Sequence, residues 1–240
     1  MTLADFRTHC QSPHGALRPR RGRWRWVVAA AAVPVLALLA ASVYFVVSPP
    51  AAAPLALPRS AAARPVGPVS GTWSVAPGSL AGFRVRASAV GIGHDVVGRT
   101  GAVTGTVVVS GDWVTSAQLR IGLTAIRVDG RPQPQLALSL RSRQHPVATF
   151  HLTEVATLSR AFSSGAVITR RAAGFLSLNG TACPVTVTLS ARRDGPDLQV
   201  AGSIPVDLAY WGIRDPAGAG VLGSLADHGE AEFRLILARR

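Results

Sequence analysis

Two histidines, His145 and His151, flank a short apolar run in the stretch Arg-Gln-His-Pro-Val-Ala-Thr-Phe-His-Leu at residues 143–152. Imidazole is a frequent zinc ligand, so a strand that carries two histidines is a candidate metal site. In an extended strand, however, Phe150 and Leu152 share one face and His151 points to the other. We therefore expect the apolar face to line an interior and the histidines to lie outside.

The other two histidines beyond the hydrophobic stretch do not complete a metal or catalytic site. His94 and His228 fall in separate predicted loops, and neither has metal-ligand spacing around it. The pairs His94–Asp95 and Asp227–His228 are simple loop neighbours, and the chain has no nucleophile elbow, zinc-protease motif or phosphate-binding glycine loop. The sequence predicts no metal, no cofactor and no catalytic residue.

The formal charge of +13 does not indicate nucleic-acid binding. The chain contains no lysine, and outside one N-terminal run its arginines are dispersed rather than interleaved with aromatic residues. The two cysteines, Cys10 and Cys183, lie on either side of a long hydrophobic stretch. If that stretch crosses a membrane, the two thiols cannot pair, so no disulfide framework is expected.

Residues 26–47 carry no charge and, as a helix, would span about 33 Å, enough for the hydrocarbon core. Arginines lie in the preceding tail, residues 1–25, and none follows directly. The positive-inside rule then places the N-terminus in the cytoplasm and the rest of the chain outside it. A cleaved signal peptide is the alternative, with Ala51–Ala53 as a small-residue site.

Residues 48–68 are rich in proline and alanine, which is typical of an extended linker. The linker leads into a domain at residues 69–240, which is long enough for one well-buried core without disulfides.

Alternation of apolar and polar residues in this domain predicts β-strands with one buried face. The alternating runs are residues 83–86, 103–109, 119–124, 147–152, 185–190 and 233–238. Turn signals separate several of them, at Pro77-Gly78, Ser110-Gly111-Asp112 and Asp194-Gly195-Pro196. A helix is expected only within residues 133–142, so the pattern favours an all-β closed barrel or sandwich.

Six short motifs follow one another in order through residues 69–240: Gly71-Thr-Trp73, Gly82-Phe83-Arg-Val-Arg86, Val97-Gly98-Arg99-Thr100, His145-Pro146-Val-Ala-Thr-Phe150, Gly174-Phe-Leu-Ser-Leu-Asn-Gly-Thr181 and Tyr210-Trp211-Gly212-Ile213. Together they resemble the motifs of the YceI-like polyisoprenoid-binding proteins, in the form seen in membrane-anchored actinobacterial members. The segments Arg131-Pro132, Gln135-Leu136 and Ala182-Cys183-Pro184 depart from the family pattern, where a headgroup or pocket mouth would be contacted.

The resemblance implies a lipocalin-like, eight-stranded antiparallel barrel with a long isoprenoid chain in its interior. The expected ligand-lining residues are Phe83, Val85, Leu119, Ile121, Phe150, Leu152, Leu176, Leu178 and Trp211. From the alternation alone, the same residues are equally compatible with a solid core.

The sequence therefore predicts a single-pass cell-membrane protein whose extracytoplasmic barrel binds a polyprenyl or quinone-type lipid for transport, storage or envelope stress response. The alternative is a structural or partner-binding envelope domain with a filled core and no ligand. The expected partners are the isoprenoid lipid and the membrane, without nucleic acid, and a homodimer remains open.

Overall fold

The computed structural model describes residues 51–59, 63–89, 92–213 and 223–240. The predicted cytoplasmic tail and transmembrane anchor, residues 1–25 and 26–47, lie outside this part of the chain. Among the described residues, no helix has the length and hydropathy needed to cross a membrane.

The described residues form one antiparallel sheet that closes on itself. Its strands are β1 Gly71–Val75, β2 Leu80–Ala89, β3 Ile92–Thr100, β4 Val103–Ser110, β5 Trp113–Gly122, β6 Arg127–Val128, β7 Val147–Leu152, β8 Ala156–Thr157, β9 Ile168–Leu178, β10 Thr181–Asp194, β11 Asp197–Asp207 and β12 Gly223–Arg239. The order runs from β1 through β4, β5, β7, β9, β10 and β11 to β12, and β12 pairs back with β1. The predicted eight-stranded antiparallel barrel is confirmed.

Two strands of the barrel each consist of two shorter strands that follow one another. β12 pairs with β2 along residues 223–234 and with β1 at residues 237–239, so β1 and β2 continue one another. β3 and β4 form the neighbouring strand in the same way, since β3 pairs with β2 and β4 with β1. The break between β1 and β2 falls at Pro77-Gly78, where Gly78 has a φ of +89° that favours glycine.

In the described residues, besides the 3-10 helix Leu123–Ala125, two short α-helices lie at opposite ends of the barrel. Helix α1, Pro134–Ser139, precedes β7 and lies inside the segment where a helix is expected, with Pro134 in its first turn. Helix α2, Arg160–Ser163, precedes β9 and carries the buried Phe162. We call the end of the barrel that carries helix α1 the α1 end, and the opposite end, which carries helix α2, the α2 end.

Apolar side chains are buried near each end of the barrel. At the α2 end, Phe162 and Trp73 are 2% and 1% exposed and belong to one core cluster, with the indole Nε1 of Trp73 donating to the carbonyl of Val69 at 2.9 Å. At the α1 end, Leu140 and the half-buried Leu136 pack in a second cluster. Each end thus contributes buried apolar side chains to a core cluster.

Part of the segment predicted as a linker is docked on the barrel wall. In residues 51–59, which we call the strap, the backbone N–H of Leu55 donates to Glu232 Oε2 at 3.1 Å, and Leu55 is buried. The carbonyls of Ala52 and Ala53 accept hydrogen bonds from Arg84 and Arg99. The strap belongs to the same compact unit as the barrel, which runs from Ala51 to Arg240.

Glu232 is the charged centre of the strap site. It is 4% exposed, and its carboxylate lies 2.7 Å from Arg84 Nε and 3.9 Å from Arg99 Nη2. Arg84 also contacts Asp95 at 3.1 Å. Burial lowers the pKa of Arg84, but hydrogen bonds and charge interactions with Glu232 and then Asp95 outweigh it, so the pKa is raised and the guanidinium stays charged.

Candidate functional site: the barrel interior

A row of apolar side chains crosses the interior on adjacent strands. Leu119 on β5 lies directly opposite Phe150 on β7, and Phe150 lies opposite Leu176 on β9. Residues that face each other across a ladder project to the same side of the sheet, so the three side chains form one inward-facing row. The row continues to Cys183 on β10, a half-buried thiol.

The structure brings most of the predicted lining residues together around this row. Phe150, Leu176 and Trp211 are buried members of one cluster, which Leu119 and Leu178 also contact. Phe83 and Ile121 pack against the neighbouring cluster at the α1 end. The other two residues lie outside these clusters: Val85 is buried on β2, and Leu152 is half-buried at the end of β7.

Phenylalanine rings in the interior lie over glycines of neighbouring strands. A Cβ placed on Gly174 would come within 2.5 Å of Cε2 and Cζ of Phe150. One placed on Gly98 would lie 2.6 Å from Cζ of Phe83, and one on Gly202 would lie 2.9 Å from Cζ of Phe233. The missing side chains let these rings lie close to the wall of the barrel.

Several inward-facing side chains retain accessible surface. Leu119 and Phe233 contact two core clusters each, yet both are only half-buried, as are Ile121 and Leu178. In a solidly packed interior, such central residues are normally almost fully buried. Their partial exposure therefore differs from what a solidly packed core would show.

A small cavity lies beside the loop that follows β11. It has a volume of about 110 Å³ and is lined by Leu208, Ala209, Ile213, Leu225, Ala226 and Asp227. Ligand pockets commonly measure about 300–1,000 Å³. This cavity can therefore hold only a small part of a long lipid, at the α1 end.

Two buried polar atoms lie next to this loop without a partner among the described residues. Asn179 is 5% exposed and donates from Nδ2 to the carbonyl of Trp211 at 2.7 Å, but its Oδ1 accepts no hydrogen bond. The indole Nε1 of Trp211, which is 3% exposed, donates to no protein atom. Asn179 is held in place by the β9–β10 turn, where Asn179 and Gly180 have φ values of +53° and +81°, as in a type I′ hairpin.

His145 and His151 do not converge on a common site. His151 is exposed on the outer face of β7 and stacks on Phe175 of β9, with ring centroids 5.5 Å apart. The ring of His145 lies beside Gly180, whose added Cβ would be 2.7 Å from Cε1. In the described part of the chain, no three His, Cys, Asp or Glu side chains are grouped as metal ligands require.

Sequence reasoning missed Asn179, Phe233 and the glycine partners of the aromatic rings. Glycine within a strand is a signal of close approach by another group, and Gly98, Gly174 and Gly202 all lie within strands. Asn179 precedes a glycine in a hairpin turn, so its conformation was predictable, but its contact with Trp211 spans 32 residues of sequence.

Closed antiparallel barrel topology with a small helix at each end defines a lipocalin-like fold. A family model for the YceI-like domain matches residues 73–236, and the chain belongs to that family. Among solved structures, it is similar to a polyisoprenoid-binding domain from Saccharophagus degradans implicated in plant cell wall breakdown, with a TM-score of 0.55 and 16% identity over 71% of this chain and 99% of that one.

BcnA from Burkholderia cenocepacia is a second structural neighbour, with a TM-score of 0.48 and 17% identity over 64% of this chain and 95% of that one. No curated protein matches the chain in sequence.

Proposed function

We propose that this protein is a membrane-tethered lipid-binding protein whose extracytoplasmic barrel holds a long isoprenoid chain. The observation that carries the proposal is the row of inward-facing apolar side chains formed by Leu119, Phe150 and Leu176, of which Leu119 is only half-buried. Membership of the YceI-like family and the polyisoprenoid-binding domain among its structural neighbours support the same ligand class.

The energetics of such a site depend on apolar burial. Each methylene removed from water contributes about 0.8 kcal/mol, so a chain of many isoprene units gains affinity along its whole length. Phe83, Phe150 and Phe233, which lie over glycines, supply large apolar surfaces along this path. The affinity therefore does not require strong polar contacts. Polar contacts instead determine which headgroup binds.

The membrane tether in this proposal is the uncharged stretch at residues 26–47. It is supported by the length of that stretch and by the arginines that precede it. Protease added to intact spheroplasts is expected to digest the barrel side of the chain and to spare the N-terminal tail. Digestion that begins only after the membrane is permeabilised would contradict the extracytoplasmic placement.

Uptake of squalene, a C30 isoprenoid hydrocarbon, tests the binding function. The full chain, purified in detergent, is incubated with squalene, separated from free micelles and extracted. We expect about one squalene per protein, in excess of a detergent-matched sample without protein. A ratio no higher than the background would overturn the proposal.

A structural or partner-binding domain with a filled core is the second candidate. The three contiguous apolar clusters and the nearly complete burial of Trp73, Phe162 and Leu237 favour it. This candidate predicts no squalene uptake, and it also predicts that enlarging an inward-facing side chain destabilises the fold.

A further inference from the structure

The unpartnered atoms at Asn179 and Trp211 point to a specific polar headgroup, an inference that rests on the proposed lipid-binding function. Both side chains are more than nine-tenths buried, and the hydrogen bond from Asn179 Nδ2 to the Trp211 carbonyl joins the two residues. Buried polar atoms are almost always hydrogen-bonded, because a lone donor or acceptor costs about 1–3 kcal/mol. A bound group that satisfies both atoms removes that cost.

The chemistry of the two atoms restricts the group that fits. An indole N–H only donates, and an amide oxygen only accepts. The partner must therefore offer an acceptor to Trp211 Nε1 and a donor to Asn179 Oδ1. A hydroxyl group provides both.

Other common isoprenoid headgroups fit less well. A quinone carbonyl accepts from Trp211 but leaves Asn179 Oδ1 unpaired. A phosphate brings negative charge to a buried amide oxygen, and the arginines on the α1-end connection between β6 and β7, Arg131, Arg141 and Arg143, are exposed rather than directed into the site. Neither group matches the two atoms as a hydroxyl group does.

We propose that Asn179 and Trp211 form a receptor for a neutral hydroxyl headgroup, so that the barrel prefers a polyprenol to its phosphate or to a plain hydrocarbon. Asn179 owes its position to the β9–β10 turn, and Trp211 owes its position to the loop after β11. Nearby, the cavity lined by Ala209 and Ile213 leaves room beside that loop.

Trp211→Phe is the variant that tests this receptor, because it removes Nε1 and keeps an aromatic side chain. Trp113→Phe is the matched control, since Trp113 is 50% exposed on β5 at the other end of the barrel. Dissociation constants are measured on the full chain in detergent for three C30 probes. They are a linear prenol, the monophosphate of that prenol, and squalene.

The wild-type chain is expected to bind the prenol about ten-fold more tightly than the other two probes, the value of one good buried hydrogen bond. Trp211→Phe is expected to reduce the ratio between the prenol and squalene affinities to about one. This ratio is the readout, rather than the squalene affinity itself, because Trp211 also packs in the interior cluster. Trp113→Phe should leave all three constants unchanged.

Three results overturn the inference. Equal wild-type affinities for prenol and squalene would show that the two atoms recognise no headgroup. A preference that survives in Trp211→Phe, or a uniform loss for all three probes, would remove Trp211 from recognition. Failure of every probe, squalene included, would refute the proposed function itself and is thereby distinguished from loss of headgroup selectivity alone.

Discussion

Phe150 on β7 and Gly174 on β9 are a fitted pair: the phenyl ring occupies the position where any larger residue at 174 would place its Cβ, within 2.5 Å of Cε2 and Cζ. Because the ring takes this space on the wall, it projects less into the barrel than an aromatic side chain over a non-glycine residue would. The same relationship holds between Phe83 and Gly98. The interior thus carries large apolar rings without being blocked by them.

Gly174→Ala is expected to destabilise the fold by about 1–3 kcal/mol, the usual cost of overpacking. The new Cβ meets the carbonyl oxygen of His151 at 2.6 Å as well as the ring of Phe150, so a ring rotation alone cannot relieve it. Urea unfolding measures the change. Gly101→Ala is the control, because its Cβ would lie 3.8 Å from the nearest heavy atom, and its stability should change by less than about 0.5 kcal/mol.

Leu119→Trp distinguishes an open interior from a filled one. If space lies along the row formed by Leu119 and Phe150, the larger side chain fits with little loss of stability but reduces squalene binding by at least ten-fold. Thermal unfolding and uptake are measured together. A loss of about 1–3 kcal/mol without any uptake in the wild type would instead indicate a solid core. Arg120→Glu, on the exposed face one residue away, should change neither property.

The strap is expected to contribute to the stability of the barrel. Leu55→Ala should cost about 2–4 kcal/mol, since Leu55 is buried and its removal leaves a cavity against the wall. Leu57→Ala, at a half-buried position of the same segment, should cost clearly less. Equal, negligible losses in chemical denaturation would show that residues 51–59 are a free tether after all.

Glu232→Gln tests the buried ion pairs beneath the strap. Removing one partner of a buried pair costs roughly 3–5 kcal/mol, and we expect about 2 kcal/mol here because Arg84 and Arg99 keep some contact with water. Glu230→Gln is the control on the same face of β12, where Glu230 is exposed. The difference between the two variants should persist in 0.5 M salt, whereas a surface ion pair would be screened.

The period-two alternation located most strands because each of them buries one face. It predicted the inward position of Phe150 and the outward position of His151, and both are confirmed. Pro184 also follows from strand physics: it lies in β10 opposite Phe175, before the pairing of β10 with β11 begins at Thr188, so no ladder hydrogen bond is lost on that side.

Two features escape this kind of reasoning. Residues 51–59 are mostly proline and alanine and show no periodic pattern, so their docking on the barrel is not predictable from them. The docking depends on Glu232, which the sequence alone would place on the exposed face of a strand. Alternation is also identical for a filled and an open barrel, so it does not predict that Leu119 is only half-buried. The packing inside depends on which side chains lie over glycines of neighbouring strands, such as Leu119 over Gly105 and Phe150 over Gly174. These contacts are long-range, and local sequence does not encode the partner.

Native mass spectrometry of the full chain, released from detergent after purification from bacterial membranes, tests the central claim most directly. We expect a second species heavier than the bare protein by the mass of one isoprenoid lipid, which is identified after extraction. A hydroxyl-terminated chain would also support the receptor at Asn179 and Trp211. A single species at the bare mass, unchanged after incubation with squalene and prenol, would contradict lipid binding and leave the filled-core domain as the account of this barrel.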